Sequence, residues 1–382
     1  MVRSEFCNKC SCLIEKEQKE SDCLYWLDEN VLLEVSVRIF LIPIFLMGDV
    51  MKRKMLLLAA VVGVALIGGA FAPSYAADKI IVKIAGMKPD GEPETVGMKL
   101  FAKYVMEATN GKYDVRVFPN SQLGKEDAYI AQTRKGIIQM CATGTQTGSL
   151  FPAMAMLETP MLYDNLEHAH RAMNGETFKL INKGFPEKSG LTMMNAFPLG
   201  FRHFYTKKPI KDVNDLKGLR MRVPNIPLYL EFAKQLGQSG QPMPFAEVPS
   251  ALDQGTIDGG DSPYSDITAL KMYEIAPNIT LSGHILVIHS LYINNDFYSK
   301  LPPEDQKIFS DAAKRSAEDV WKMAAEVEKK AVEEITKGGG KINNPSPEFK
   351  AALVTAGQNT WKLFYDTVPN AKEILDSVKQ YK

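Results

Sequence analysis

Residues 200–225 read GFRHFYTKKPIKDVNDLKGLRMRVPN, and this stretch decides the interpretation of the fold. Arg220–Val223 is predicted to be a short strand, which Pro224 ends. Pro227 then opens a predicted helix that continues to Leu236. A short apolar strand followed directly by a helix is the repeating unit of α/β proteins, so the stretch predicts that fold class.

The same unit recurs on the N-terminal side of this stretch. Helical patterns begin near Pro93 and Glu126, and each lies between two short strands. Helices placed in this way favour a largely parallel sheet that is covered on both faces. The predicted strands of this part are Lys79–Ala85, Tyr113–Phe118, Met140–Thr143 and Leu191–Ala196.

Two long elements follow on the C-terminal side. Gly283–Asn294 reads as one long strand, and a strand of this length can belong to two sheets. Over residues 304–337, apolar side chains such as Phe309 and Val320 recur at helical spacing until Gly338-Gly339-Gly340 ends the pattern. A helix of about 33 residues spans roughly 50 Å. This length exceeds the diameter of one domain, so we predict a helix that crosses two lobes.

The first 76 residues carry the pattern of an export signal. Met51-Lys52-Arg53-Lys54 is basic, an apolar run continues to about Phe71, and the small residues Ser74 and Ala76 follow. This order is typical of a secretory signal peptide over residues 51–76, with cleavage after about Ala76 and a periplasmic mature chain. The alternative is a retained membrane anchor, but a run of about 17 residues is at the short limit for crossing a bilayer.

Residues 1–50 precede this signal, and we interpret them as translated upstream sequence without a function. The predicted mature chain, residues 77–382, has 306 residues, which is enough for two ordinary domains. It contains 37 Lys and Arg against 36 Asp and Glu, so its charge does not indicate a nucleic-acid partner. Cys141 is its single cysteine, which excludes an internal disulfide.

Arg222 is the side chain that most directly indicates chemistry. It is predicted to lie at the end of a strand among apolar neighbours, where an unpaired charge is costly. Its planar guanidinium suits a bidentate carboxylate, which is either a ligand or an internal Asp or Glu. Because side chains alternate along a strand, Arg220 and Arg222 are predicted to face opposite sides.

The motifs of common enzymes are absent from the sequence. It has no Gly-x-Ser-x-Gly, no His-Glu-x-x-His and no phosphate loop of the Walker kind. His168 and His170 are two residues apart, which places them on different helix faces and argues against a metal pair. We therefore predict no catalytic residues, no cofactor and no metal.

Five segments of the predicted mature chain, in consistent order, resemble the solute-binding proteins of tripartite ATP-independent periplasmic (TRAP) transporters, DctP type. The resemblance covers essentially the whole of residues 77–382. Its segments are FPNSQLGKE at 118–126, the stretch at 200–225 quoted above, PMPFAEVPSALDQGTIDGGDSP at 242–263, KMYEIAP at 271–277 and LPPEDQKIF at 301–309.

The resemblance implies roles for several residues of the second half of the site. The selectivity arginine of the family, which pairs with the carboxylate of the ligand, corresponds to Arg222, and a second arginine near the lobe boundary corresponds to Arg202. The pocket aromatic corresponds to Phe245. Where the family often has Asn, this chain has Ser262, whose shorter side chain makes fewer contacts. Asn225 completes the predicted set on this side.

The resemblance also implies three polar regions in the first half of the chain. Lys88 replaces an Asn, and Glu126 remains acidic. In the third region the expected acidic residue is missing, which argues against sialic acid, and Thr145 is available instead, beside Thr143 and Gln146. Lys88 at the mouth favours a further negative charge or a hydroxyl-rich acid, and the alternative is a solvated loop lysine.

Together these observations predict an α/β, two-lobed periplasmic-binding-protein fold with the ligand cleft between the lobes. Lobe I is predicted to comprise residues 77–199 and 288–327, and lobe II residues 200–287 and 328–382. The implied function is that of a monomeric TRAP subunit which captures a small organic anion by hinge closure and delivers it to the membrane subunits. A hydroxylated or sugar-derived monocarboxylate is favoured, followed by a C4-dicarboxylate or a phosphate-bearing molecule. The alternatives are a binding protein that feeds a sensor and an exported enzyme acting on an organic acid.

Overall fold

Two six-stranded sheets form the framework of the chain in the computed structural model, which describes residues 79–382. The predicted upstream segment 1–50 and signal peptide 51–76 lie outside the described residues. Among the helices of residues 79–382, none is both long enough and apolar enough to cross a membrane.

The first sheet has the strand order β2-β1-β3-β11-β4, with β5 also paired to β11. Strands β1, β2 and β3 run parallel, whereas β11 is antiparallel to all of its neighbours. The sheet is therefore mixed and not largely parallel as predicted, because β11 returns from the other lobe and enters in the opposite direction. Its strands are β1 (Ile80–Ala85), β2 (Tyr113–Phe118), β3 (Met140–Thr143), β4 (Leu191–Met193), β5 (Phe197–Phe201) and β11 (Leu286–Asn294).

The second sheet has the strand order β12-β10-β6-β9-β7-β8, and it is also mixed. Strand β7, which carries Arg222, runs parallel to both of its neighbours, β8 and β9. The strands are β6 (His203–Thr206), β7 (Arg220–Val223), β8 (Ser239–Pro242), β9 (Gly259–Ser262), β10 (Asn278–Thr280) and β12 (Lys341–Asn343).

The part of the chain built on the first sheet is called lobe I below, and the part built on the second sheet lobe II. The chain passes from lobe I to lobe II at Arg202, the single residue between β5 and β6, and it returns between β10 and β11. Strand β11 pairs with two sets of lobe I strands among the described residues, with β5 over Leu286–His289 and with β3 and β4 over Ser290–Asn294, so the long strand joins two groups of strands as the sequence predicts, although both groups belong to lobe I. Gly283, which has a φ of +55° in the left-handed region, interrupts the extended chain just before β11.

Helices cover the sheets, and several of them begin with a proline at a first-turn position that needs no backbone N–H donor. The α-helices are α1 (Pro93–Ala108), α2 (Glu126–Arg134), α3 (Leu166–Met173), α4 (Glu176–Asn182), α5 (Phe185–Ser189), α6 (Pro227–Gln235), α7 (Val248–Asp253), α8 (Tyr264–Ala269), α9 (Met272–Ile275), α10 (Asn295–Ser299), α11 (Pro303–Lys337), α12 (Pro347–Thr360), α13 (Lys362–Tyr365) and α14 (Ala371–Lys379). Short 3₁₀ helices occupy Thr145–Ser149, Pro152–Glu158, Val213–Leu216 and Phe245–Glu247.

The long helix α11 crosses both lobes, as the sequence predicts. It packs against α1 and β5 of lobe I and against α8 and β12 of lobe II. Near its N-terminal end, Phe309 is fully buried and makes edge-to-face contacts with Phe101 and Tyr113.

The C-terminal segment does not stay on lobe II. Helix α14 packs against α3 and α4 of lobe I, where the ring Nε2 of His168 lies 2.8 Å from the carbonyl oxygen of Val378. The hydroxyls of Thr177 and Ser377 are 2.7 Å apart in the same contact. The sequence interpretation gives residues 328–382 to lobe II, whereas this last helix covers lobe I with its apolar face. The predicted lobe boundaries otherwise stay a prediction.

Candidate ligand-binding site

A cavity of about 340 Å³ lies between the two lobes. Its wall includes the loop after β1 and the start of α2 from lobe I, and the ends of β7 and β8 from lobe II. The structure brings seven of the eight predicted site residues to this cavity: Lys88, Glu126, Thr145, Arg202, Arg222, Asn225 and Phe245.

Arg222 is buried at the cavity without a charged partner. It is 5% exposed, and its Nε and Nη2 donate to the carbonyl oxygen of Met243 at 3.3 and 3.0 Å. Among residues 79–382, no carboxylate lies within ion-pair distance of it. Arg220, on the opposite face of the same strand, pairs instead with Asp258 at 2.6 Å. The internal salt bridge that the sequence left open for Arg222 therefore does not form within the described chain.

The charge of Arg222 has consequences for the cavity. Burial lowers its pKa, and the nearby charge of Arg202 acts in the same direction. A guanidinium nevertheless stays protonated in proteins, so the cavity contains a desolvated cation that has N–H groups available to a ligand. Such a site favours an anion with two or more oxygens, because these can accept parallel N–H donors.

Arg202 is already neutralised. Its Nε lies 2.5 Å from Oδ2 of Asp261, its Nη2 donates to the Asp261 carbonyl, and its guanidinium stacks 4.8 Å from the ring centre of Tyr229. Burial alone would raise the pKa of Asp261, but the charge of Arg202 and the hydrogen bond from His284 outweigh it and hold that pKa well below its usual range. Arg202 thus lines the cavity as half of a buried ion pair, and it adds less charge for a ligand than predicted.

Ser262 is the predicted residue that the structure does not bring to the cavity. It is fully buried in β9, opposite His203 of β6, and its hydroxyl has no hydrogen-bond partner within residues 79–382. Side chains alternate along a strand, so the preceding Asp261 faces Arg202 and Ser262 faces away. The position that the resemblance assigned to ligand anchoring is therefore not part of the cavity wall.

Lys88 reaches across the interface between the lobes. Its Nζ lies 2.6 Å from Oδ1 of Asp266 in α8 and 4.0 Å from the ring centre of Phe245. Lys88 and Asp266 are both almost completely buried. The alternative of a solvated loop lysine is therefore wrong. The positive charge of Lys88, which was expected to serve the ligand, is instead paired with Asp266.

The lobe I wall of the cavity is rich in acceptor groups. Glu126 accepts the hydroxyl of Thr143 at 2.5 Å, and burial raises the pKa of its carboxyl. Glu158 accepts the hydroxyls of Thr145, at 3.0 Å, and of Tyr229 in lobe II. These carboxylates suit ligand hydroxyl groups, which donate hydrogen bonds.

Sequence reasoning missed Glu158, Tyr229, Asp266 and His289, which all line the cavity. Glu158 carried a usable signal, because it is the single acidic residue in the apolar run PAMAMLETPMLY at 152–163. The other three had no comparable local signal. Within residues 79–382, no cluster of three or more His, Cys, Asp or Glu side chains could hold a metal ion.

Comparison with known proteins identifies the family of the chain. Residues 84–367 match the family described as bacterial extracellular solute-binding protein, family 7 (DctP). The chain belongs to this family. The DctP family binds solutes and is not catalytic, and its relatives in Escherichia coli and Rhodobacter capsulatus are named as periplasmic proteins.

Solved structures share the two-lobed DctP fold. A TRAP periplasmic solute-binding protein from Desulfovibrio desulfuricans, with bound sn-glycerol-3-phosphate, is 71% identical, with a TM-score of 0.78 over 79% of this chain and 97% of that chain. One from Haemophilus influenzae, with bound L-gulonate, is 32% identical, with a TM-score of 0.76 over 80% of this chain and 100% of that chain. The 2,3-diketo-L-gulonate-binding periplasmic protein YiaO of Escherichia coli is 28% identical over 76% of this chain and 88% of its own length.

Proposed function

We propose that this chain is the extracytoplasmic solute-binding subunit of a TRAP transporter, and that it captures a small hydroxylated organic anion between its lobes. The observation that carries the proposal is Arg222, a buried guanidinium without a counter-charge among the described residues, at the wall of an interlobe cavity. A bound anion would supply that counter-charge. The carboxylates of Glu126 and Glu158 on the opposite wall would accept its hydroxyls.

The proposed ligand is sn-glycerol 3-phosphate or a closely similar polyol phosphate. The relative that carries sn-glycerol-3-phosphate is 71% identical, far above the sugar-acid-binding relative at 32%. A cavity of about 340 Å³ is at the small end of ligand sites, which fits a three-carbon compound. This reverses the order that the sequence favours, in which a monocarboxylate precedes a phosphate-bearing molecule.

Binding calorimetry on residues 77–382 tests the proposal. We expect sn-glycerol 3-phosphate to bind and uncharged glycerol to give no heat, because only an anion supplies a charge for Arg222. We expect L-gulonate to bind more weakly than sn-glycerol 3-phosphate, because the relative that carries L-gulonate is the less similar of the two. Preferred binding of L-gulonate would replace the polyol phosphate with a sugar acid. Absence of binding by both anions would overturn the proposed function.

The partner and the location follow from the same proposal. The ligand-closed form is recognised by the membrane subunits of the transporter, and the chain is a periplasmic monomer cut after about Ala76. Mass spectrometry of the exported protein should give an N-terminus at Ala77, and light scattering should give the mass of one chain. If uptake of the anion is unchanged when the membrane subunits are deleted, a sensor role becomes the better interpretation, and conversion of the bound anion would identify an enzyme.

A further inference from the structure

Three ionisable side chains are buried together where the lobes meet. Lys88 and Glu92 come from the loop between β1 and α1 of lobe I, and Asp266 comes from α8 of lobe II. Their exposed fractions are 4%, 6% and 2%. Lys88 and Asp266 form the 2.6 Å ion pair described above, whereas Oε2 of Glu92 has no hydrogen-bond partner within residues 79–382.

The charges of this cluster do not balance if every group is ionised. One ammonium would then face two carboxylates, leaving a net negative charge away from water, which is costly. A proton on Glu92 removes that charge and keeps the Lys88–Asp266 pair intact. The buried carboxyl oxygen without a partner is consistent with a protonated group.

The surroundings of Glu92 act in the same direction. Burial and, to a smaller extent, the charge of Asp266 raise the pKa of Glu92, whereas Lys88 and the hydroxyl of Ser265 lower it, and the net result is a pKa of about 7. Glu94 on α1 adds a smaller repulsion, and its own carboxylate is bound to the ring of His289 at 2.5 Å. The buried cations beyond Asp266 are Arg202 and Arg222.

We propose that Glu92 is a proton-binding site coupled to solute capture, so that closing the lobes around the anion traps one proton on its carboxyl. The inference rests on the proposed function, because it requires the lobes to close on a ligand. Asp266 and Ser265 lie on α8 of lobe II, whereas Glu92 lies in lobe I, so the charge and the hydroxyl that act on Glu92 come from the other lobe. The proposal requires that separation of the lobes lets water reach Glu92, which would then ionise near the ordinary pKa of a glutamate.

The coupling has a defined sign and size. The closed form binds the proton more tightly than the open form, so affinity for the anion should rise as the pH falls from about 8 towards about 5. With a closed-form pKa of about 7 and an ordinary one of about 4.3 when open, capture takes up close to one proton at pH 6 and about a tenth of a proton at pH 8.

Calorimetry in buffers that differ in ionisation enthalpy measures this proton directly. The mature protein is titrated with sn-glycerol 3-phosphate at pH 6 and at pH 8, and the slope of the observed enthalpy against the buffer enthalpy gives the number of protons taken up. The phosphate itself titrates near pH 6, so the quantity of interest is the difference between wild type and Glu92→Gln. We expect wild type to take up nearly one proton more than the variant at pH 6 and almost none more at pH 8.

Two further variants support the measurement. Glu107→Gln changes an exposed glutamate on α1, the helix that follows Glu92, and should behave like wild type. Asp266→Asn leaves Glu92 as the counter-ion of Lys88, which keeps Glu92 ionised, so this variant should lose the uptake as Glu92→Gln does. The Asp266→Asn variant also tests the role of Glu92 in proton uptake if Glu92→Gln does not fold.

The possible outcomes separate the two proposals. The binding heat reports on solute capture, and its absence with sn-glycerol 3-phosphate counts against the proposed ligand. The buffer slope reports on the proton. Equal slopes for wild type and Glu92→Gln at pH 6, or uptake retained in Asp266→Asn, would overturn the assignment of Glu92 while leaving solute binding in place.

Discussion

Replacing Arg222 by methionine should remove most of the affinity for the anion. The side chain is 5% exposed, and its only hydrogen bonds within residues 79–382 go to the carbonyl oxygen of Met243. A bound anion would be its sole close counter-charge in that region. Methionine keeps an apolar side chain of similar length, so the change removes the charge and the N–H donors while the cavity wall stays filled.

The size of the loss follows from burial. Removing one partner of a buried, hydrogen-bonded ion pair costs about 3–5 kcal/mol, because the other charge is left without compensation. At about 1.4 kcal/mol per tenfold change, the dissociation constant should rise by a factor of roughly 140 to 3700. The ligand-free variant should be as stable as wild type or more stable, since a buried cation without a carboxylate partner has been removed.

Isothermal titration calorimetry measures the affinity, and urea unfolding of the ligand-free proteins measures the stability. Arg220→Met is the matched control, because Arg220 lies on the same strand but faces solvent and pairs with Asp258. That control should bind within threefold of wild type. If Arg222→Met also binds within threefold of wild type, the assignment of Arg222 as the anion-binding residue is refuted.

Three further predictions concern stability, pH and the excluded site residue. Asp261→Asn should destabilise the ligand-free protein by about 3–5 kcal/mol in urea unfolding, because Arg202 then stays buried without its counter-charge; a loss below about 1 kcal/mol would contradict the ion-pair account. Burial lowers the pKa of His203 to about 3, so the folded state refuses a proton that the unfolded state binds. As the pH falls from about 6.5 towards 3, the free energy of unfolding should therefore decrease by up to about 1.4 kcal/mol per pH unit. His203→Asn should flatten this slope in unfolding curves recorded between pH 4 and pH 7. An unchanged slope in the variant would argue against buried neutral His203 as its cause. Ser262→Ala should leave the affinity for the anion unchanged. It should leave the protein equally stable or up to about 1–3 kcal/mol more stable, because it removes a buried hydroxyl without a partner in the described chain. Tenfold weaker binding by this variant would show that Ser262 contributes to the ligand site.

Local patterns predicted the parts of the fold that depend on local physics. The long helix was predicted within one residue of its observed ends, since its apolar spacing and terminal glycines act along the helix itself. Arg220 and Arg222 face opposite sides because the alternation of a strand leaves no other choice. The direction of β11 could not be obtained in this way, because it depends on how the chain returns from the other lobe.

Contacts between distant segments account for what the sequence did not reveal. Lys88 and Asp266 are 178 residues apart, and Tyr229 is 71 residues from Glu158, so no local pattern links either pair. Lys88 therefore was predicted as a cation for the ligand, although Asp266 neutralises it. Ser262 shows the complementary limit, since a resemblance identifies an aligned position but the pleat of β9 decides which face its side chain occupies.

The long helix also sets the mechanics of the cleft. Residues 304–337 contain neither glycine nor proline, so helix α11 has no residue at which it would kink readily. It is docked on both lobes, and separation of the lobes must either flex it along its whole length or slide it across one docking surface. Helix α11 therefore opposes wide separation of the lobes. It favours the return of the lobes towards each other even when the cleft contains no ligand.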